Sequence, residues 1–260
     1  MSGHEHLLVR TDGPLLWITI NRPAVLNALN AVAHRELAAA FDAYAADPTL
    51  RVAIITGAGP RAFCVGSDLK ARVQTNADDH PPTGFAGLTH RFDLYKPVIA
   101  AVNGLALGGG LEIVVACDLA IAADTAGFGF PEPRVGMAAL GGGGLQRLAR
   151  TVPLKIAMDI VLTGRRVGAA EAKSVGLIND VVPAGDLISR TRDCAMQIVE
   201  GAPLSIIASK QVMLQSLAMP DLAAALRATY PAAVQAFASD DAKEGQAAFV
   251  EKRKPRWRGR

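Results

Sequence analysis

The sequence predicts an α/β protein: parallel strands joined by helical crossovers, followed by a helical C-terminal piece. Three observations carry that prediction. Short apolar runs closed by turn residues recur at 15–20, 52–56, 98–102 and 119–123, with helix-compatible stretches between them. After Pro153 the pattern changes to successive helical segments. With 260 residues, 50% of them hydrophobic, the chain is long enough to bury a large core.

The elements follow in order. Residues 15–20 read as a strand stopped by Asn21, Arg22 and Pro23. Asn30 is placed to cap a helix over 34–46, which Asp47 and Pro48 end. The run at 52–56 stops at Gly57 and the run at 98–102 stops at Asn103-Gly104. The run at 119–123 is reached through a helix that opens after Gly110. Further helices are expected over 155–162, 169–175, 185–200, 204–217, 222–237 and 242–250, broken by one strand-like run at 177–182. Gly201-Ala202-Pro203 marks an internal boundary, since Gly ends a helix and Pro suits the first turn of the next. The expected division is a core over 1–200 and a helical region over 201–260.

Composition excludes several function classes. The formal net charge is +3, but Lys252, Arg253, Lys254, Arg256, Arg258 and Arg260 crowd the last nine residues, leaving −3 on the rest. A basic tail on a mildly acidic body is not the broad basic face that duplex nucleic acid requires. The tail reads either as a solvated flexible end or as a local site for phosphates. Cys64, Cys117 and Cys194 form no CxxC pair, so no disulfide framework is expected and the setting is reducing and cytoplasmic. His4 and His6 lack a third ligand at usable spacing, so no metal site is expected. The most apolar stretch, 98–123, contains Asn103, Glu112 and Asp118 and is not a membrane span. The opening residues have no apolar core of a signal peptide.

Two apparent motifs fail on context. Residues 57–62 match GxGxxA after a strand, but Pro60 lies inside and Phe63-Cys64-Val65-Gly66 follows where a helix should open. Ser67 sits in Val-Gly-Ser-Asp rather than GxSxG, and no His is placed in sequence to serve it.

Two carboxylates are more informative. Glu112 is embedded in the apolar run that follows Gly108-Gly109-Gly110. Burying an unpartnered carboxylate costs several kcal/mol, so Glu112 either faces outward, pairs with an Arg, or serves a site. Three successive glycines let a ligand approach the backbone, and the N–H groups opening a helix favour negative charge. Glu132 stands between Pro131 and Pro133, which restrict where it points, although it also reads as an ordinary loop carboxylate. Two carboxylates on stiff backbone suit general acid–base work, though their spacing of 20 positions does not show that they meet.

At this point the sequence resembles the crotonase (enoyl-CoA hydratase/isomerase) superfamily along nearly its whole length. The resemblance runs through Asn21-Arg22-Pro23, Leu26-Asn27-Ala28-Leu29, Ile54-Ile55-Thr56-Gly57, and the segment from Ala62 through Gly66-Ser67-Asp68-Leu69. It continues through Lys96-Pro97, Asn103-Gly104, Gly108-Gly109-Gly110-Leu111-Glu112, Cys117-Asp118, Phe128-Gly129, Pro131-Glu132, Gln146-Arg147-Leu148 and Phe249 to Pro255. No single piece is specific; all of them in order are.

The resemblance implies a spiral of ββα units with a helical C-terminal region, assembling as homotrimers or as hexamers built from two trimers. It implies an acyl-CoA substrate and no cofactor beyond the coenzyme A carried by that substrate. It implies an oxyanion hole from the backbone N–H groups of Ser67 and Gly109, with two catalytic carboxylates: Glu112 to orient and help deprotonate water, and Glu132 to deliver a proton to the α carbon. Asp68, Leu69 and Lys70 would contact substrate; Phe249 and Lys252 would meet the coenzyme A end. The expected reaction is hydration of a trans-2-enoyl-CoA to a 3-hydroxyacyl-CoA. Isomerisation, carnitinyl-type dehydration or hydrolysis on the same fold are alternatives, as is an RNA-binding branch. For the last, residues 185–217 offer only Arg190, Arg192 and Lys210 as cations. The glycine-rich stretch at 138–146 lacks the Thr common in family members, and residues 72–90 are expected to shape the acyl site.

Overall fold

The computed structural model describes residues 4–71 and 80–260. The part of the acyl-shaping segment at 72–79 lies outside the described residues.

The apolar runs become neighbouring strands. Strands β1 (Leu7–Asp12), β2 (Leu15–Ile20), β3 (Val52–Gly57), β5 (Val98–Val102), β7 (Leu119–Ala123) and β10 (Asp180–Val182) form one sheet in the order β1-β2-β3-β5-β7-β10. From β2 onward every pairing is parallel; β1, which the sequence pattern did not reveal, joins β2 antiparallel. A smaller sheet takes β4 (Ala62–Cys64), β6 (Leu105–Leu107), β8 (Gly127–Gly129) and β9 (Val167–Gly168) in that order. Strands β4, β6 and β8 run parallel, and β9 pairs with β8 antiparallel.

The large sheet is buried on both faces, which is why its strands are continuously apolar rather than alternating. Ile18, Ile20, Ala53, Ile55, Ala100 and Val102 face one core with Leu37, Phe41 and Phe63. Their neighbours Leu15, Trp17, Val52, Ile54, Ile99 and Ala101 face the other, with Leu187 and Ala195. The first core holds helix α1 (Ala31–Ala46), whose N-cap Asn30 accepts from Ala33 N–H at 2.9 Å. The second is closed by a helix over Leu187–Val199.

Three consecutive strand pairs set the architecture: β3/β4, β5/β6 and β7/β8 each place one strand in the large sheet and the next in the small one. Helix α2 (Gly109–Ala116) follows β6, so the chain winds in ββα turns. The fold is thus the mixed α/β spiral expected, with helices collected at the C-terminal end. The segments that leave β4, β6 and β8 emerge side by side at one end of the small sheet. Ser67, Gly109 and Glu132 lie on those three segments.

Next come α3 (Gly144–Thr151), which the sequence pattern did not reveal, α4 (Leu154–Thr163), α5 (Ala169–Ser174) and α6, the Leu187–Val199 helix already described. The chain then becomes entirely helical: α7 (Pro203–Ser216), α8 (Leu222–Arg227), α9 (Pro231–Ala238) and α10 (Asp240–Val250). One helix was expected over 222–237; the structure has two, because Pro231 lacks an N–H and disfavours helical backbone at Tyr230, which is extended (φ −108°, ψ 110°). Gly201 is held to the core by Arg51, which donates to its carbonyl at 2.7 Å.

The basic tail keeps its six cations exposed but is not a free end. It folds back on α10: the Arg258 and Gly259 N–H groups donate to the buried Asp241 carboxylate at 2.6 and 2.8 Å, and Arg253 forks onto Glu244 at 2.6 and 2.9 Å. Trp257 Nε1 donates to Glu200 O at 2.6 Å. No helix among the described residues is long and apolar enough to cross a membrane.

Candidate active site

The segment leaving β4 is aimed by a hydrogen-bonded turn two strands away in sequence. Asn27, at φ 58°, accepts from Arg22 N–H and donates to Ala58 O and Ala62 O at 3.0 and 2.8 Å. Arg22 pairs with Asp68 at 3.1 Å and donates to Ala28 O. The following residue, Leu29, donates to Gly66 O and accepts from Asp68 N–H, both at 2.8 Å. Leu29 thereby engages the residues on either side of Ser67, which turns the Ser67 N–H to the opposite edge.

Gly109 opens α2, so its N–H has no preceding intrahelical carbonyl. Among the described residues neither it nor Ser67 N–H donates to a loop or turn carbonyl. The two peptides are packed closely: a Cβ built on Gly66 (φ +95°) would lie 3.1 Å from Gly109 N. Behind Gly109, a Cβ would collide with the Phe85 ring at 2.3 Å. The Phe85 segment is pinned by buried His34, whose Nδ1 accepts from Ala86 N–H at 3.0 Å and whose pKa burial lowers to about 3.

Glu112 lies in the first turn of α2 and is 3% exposed. It does not face outward, and among the described residues it forms no ion pair. Its Oε1 accepts from Gly142 and Gly144 N–H, both at 2.9 Å, and Oε2 takes no hydrogen bond among the described residues. The glycine-rich loop has a steric purpose here. A Cβ on Gly142 would stand 2.6 Å from Glu112 Oε2, and one on Gly144 would stand 2.9 Å from its Cγ.

Glu132 begins a short 3-10 turn (Glu132–Val135) whose N-cap is Pro131. Its carboxylate reaches back toward Gly108, where a Cβ would be 2.7 Å from Oε1. Oε2 is buried and has no hydrogen-bond partner among the described residues. Burial, and secondarily the nearby Glu112 charge, raise the Glu132 pKa above the usual carboxylate value, with a backbone hydrogen bond opposing them. The pair therefore divides: one carboxylate braced by two amides, the other biased toward holding a proton.

Both carboxylates line one cavity of about 400 Å³, together with Ser67, Leu69, Gly109 and Phe85. Val135, Met137 and Leu140, all exposed, also line it, and among the described residues no Lys or Arg does. Five sequence-predicted residues thus converge: Ser67, Leu69, Gly109, Glu112 and Glu132. Asp68 is turned away into its Arg22 pair, where it also accepts from Ala71 N–H at 3.2 Å. Lys70 is exposed and is not part of the cavity's lining. Phe249, 86% exposed, and Lys252, exposed at φ 53°, lie outside the cavity's lining. His80, inside the 72–90 segment expected to shape the acyl site, does line the cavity, while sequence reasoning missed Met137 in the lining and the amide donors Gly142 and Gly144. The only sequence signal for the donors was the departure of that loop from the common family pattern.

The three cations of the 185–217 region are each committed: Arg190 to Asp180 at 2.9 Å, Arg192 to Asp12 at 2.9 Å, and Lys210 to Asp118 at 2.7 Å. Cys64, Cys117 and Cys194 are free thiols; Cys64 is buried, and its pKa is pushed up to about 12 by desolvation.

Comparison with known proteins places these features in context. The sequence matches the family model for enoyl-CoA hydratase/isomerase over residues 10–260. It is 43% identical to a carnitinyl-CoA dehydratase of Escherichia coli (strain K12) over 264 aligned positions, covering 98% of this chain and 99% of the relative. A solved enoyl-CoA hydratase from Mycobacterium tuberculosis H37Rv superposes with a TM-score of 0.92 at 40% identity, covering 98% of this chain and 99% of that one. An enoyl-CoA hydratase from Bacillus anthracis gives 0.88 at 33% identity, covering 98% of this chain and 100% of that one.

Proposed function

Because the chain belongs to the enoyl-CoA hydratase/isomerase family, we propose that it is a hydro-lyase that adds water across the double bond of a trans-2-enoyl-CoA to give a 3-hydroxyacyl-CoA. The observation that carries this reading is the division of labour between Glu112 and Glu132 around one cavity. The thioester oxygen would sit between Ser67 N–H and Gly109 N–H, fixed donors that stabilise the charge developing there as the enolate forms. Glu112, held through Oε1, directs Oε2 at a water and takes its proton as the water attacks the β carbon. Glu132, biased toward its protonated form, delivers a proton to the α carbon. The reverse sequence, run with the same two groups, dehydrates a 3-hydroxyacyl-CoA. Coenzyme A enters as part of the substrate, and no separate cofactor is required.

A second reading has a specific basis. Both the 43% identity to a carnitinyl-CoA dehydratase and a lining that pairs two carboxylates, with no Lys or Arg among its described residues, suit an acyl group bearing a cation. The two readings are separated by following enoyl absorbance with crotonyl-CoA and with carnitinyl-CoA. Turnover of crotonyl-CoA supports simple hydration, turnover of carnitinyl-CoA alone supports the second reading, and turnover of neither contradicts both.

The assembly we propose is a homotrimer or a hexamer of two trimers, in a reducing cytoplasmic setting consistent with three free thiols. The C-terminal helices leave Leu217, Leu226, Phe237 and Phe249 between 78% and 86% exposed, more apolar surface than a monomer ordinarily shows to water. Phe249 and Lys252, outside their own chain's cavity lining, would serve the coenzyme A end of a neighbouring subunit's substrate.

A further inference from the structure

Arg147 does not line the cavity, yet it joins two of the walls that do. It lies in the first turn of α3 and is half-buried. Its Nη1 donates to Gly142 O at 2.8 Å and its Nη2 to Thr89 O at 2.5 Å. Gly142 is one of the two residues whose N–H holds Glu112. Thr89 is fully buried and closes the turn that begins with Phe85, the ring occupying the space beside Gly109. One guanidinium therefore spans from the loop bracing Glu112 to the wall backing the Gly109 amide.

The local backbone is shaped to admit it. Gly143 adopts φ +73°, and a Cβ there would come within 2.8 Å of Arg147 Nη1. A planar fork with divergent N–H groups can satisfy two carbonyls on different segments at once; a lysine ammonium on a flexible stem cannot reproduce that spacing. Arg147 is also stacked 6.0 Å over the exposed Phe92 ring, which limits its rotamers.

We propose that Arg147 is a positioning residue for the acyl-CoA reaction: by clamping Gly142 O to Thr89 O, it fixes where the Glu112 carboxylate stands relative to the Gly109 amide. The proposal rests on Glu112 being the group that handles the water proton. Its effect should appear in the chemical step, since displacing a catalytic group by about 1 Å can cost about a hundredfold while leaving substrate binding intact.

The test compares Arg147→Met and Arg147→Lys in the wild-type and Glu112→Gln backgrounds. The readouts are kcat and KM for crotonyl-CoA, or for carnitinyl-CoA if only that substrate turns over, together with the thermal midpoint. In the wild-type background, Arg147→Met is expected to lower kcat about 10- to 100-fold with KM changed less than about threefold, and Arg147→Lys to recover part of the loss. In the Glu112→Gln background, Arg147→Met should alter the residual rate by less than about twofold, because the group it positions is gone. An equal loss in both backgrounds, or unchanged kcat in a folded Arg147→Lys protein, overturns the proposal. If Arg147→Met does not fold, the Lys variant in both backgrounds gives the same comparison. Wild-type turnover by Glu112→Gln itself would instead refute the role of Glu112, a separate outcome.

Discussion

Glu112 and Glu132 lie on successive turns of the spiral and face the same cavity, near enough that the charge of the first contributes to the raised pKa of the second. Their surroundings are opposite in kind. Glu112 has two backbone donors on one oxygen, whereas Glu132 has a buried oxygen with none among the described residues. That asymmetry suits one group to accept a proton and the other to give one.

Gly142→Ala should be disabling out of proportion to its size. The Gly142 φ is not in the left-handed region, so alanine is allowed by the backbone, but its Cβ would meet Glu112 Oε2 at 2.6 Å. The expected result is a loss of about 10- to 100-fold in kcat with the far-ultraviolet circular dichroism unchanged. Gly141→Ala, whose Cβ would be 3.7 Å from His80 Cε1, serves as the control and should retain most activity.

The pH dependence of stability follows from Glu132. Its folded pKa is raised, so between the unfolded and folded values the native state holds more protons than the unfolded chain. Stability falls as pH rises through that window, and above it the charged form pays the full cost of burial. Glu132→Gln should therefore melt at or above the wild-type temperature near neutral pH, with the difference shrinking as pH is lowered toward the unfolded carboxylate value. A variant less stable than wild type at neutral pH contradicts the assignment. In activity, hydration should decline as pH rises through the Glu132 pKa, because the proton donor is lost.

Asp241 anchors the C-terminal tail through the Arg258 and Gly259 N–H groups while being 2% exposed. Asp241→Ala should cost roughly 1–3 kcal/mol and expose the last residues to proteolysis, measurable by thermal melting and by mass spectrometry of limited digests. Truncation after Ala248 removes Phe249 and Lys252 as well, and should raise the KM for acyl-CoA or reduce the oligomer size. If neither changes, the proposed coenzyme A role of this end is wrong.

Phe237, on α9, is 86% exposed, so introducing an acidic side chain there should weaken a subunit contact built on that face. Phe237→Glu is expected to shift the molecular mass by light scattering toward that of a monomer. An unchanged mass places the contact elsewhere.

Legibility in the sequence divides along physical lines. Strands at 15–20, 98–102 and 119–123 were readable to the residue, because sheet interiors buried on both faces impose unbroken apolar runs. Strands β4, β6 and β8 were not: at three residues each they carry no measurable period, although they place the site. Strand β1 was hidden because its exposure alternates irregularly, with Arg10 and Asp12 inside it. Glu112 and Glu132 stood out as acids in stiff or apolar surroundings. The amides holding Glu112 come from 30 and 32 positions away, a relation that only folding creates. The tail misled for a related reason, since the carboxylates that order it, Asp241 and Glu244, belong to the preceding helix and composition does not show them folding together.

The most direct measurement is the turnover of Glu112→Gln and Glu132→Gln, each at saturating acyl-CoA, alongside circular dichroism of both proteins. Loss of at least about a hundredfold in kcat from each, with native spectra, is the predicted result. Near-wild-type rates from either variant would mean that its carboxyl group does not carry a proton in the reaction, and would contradict the account.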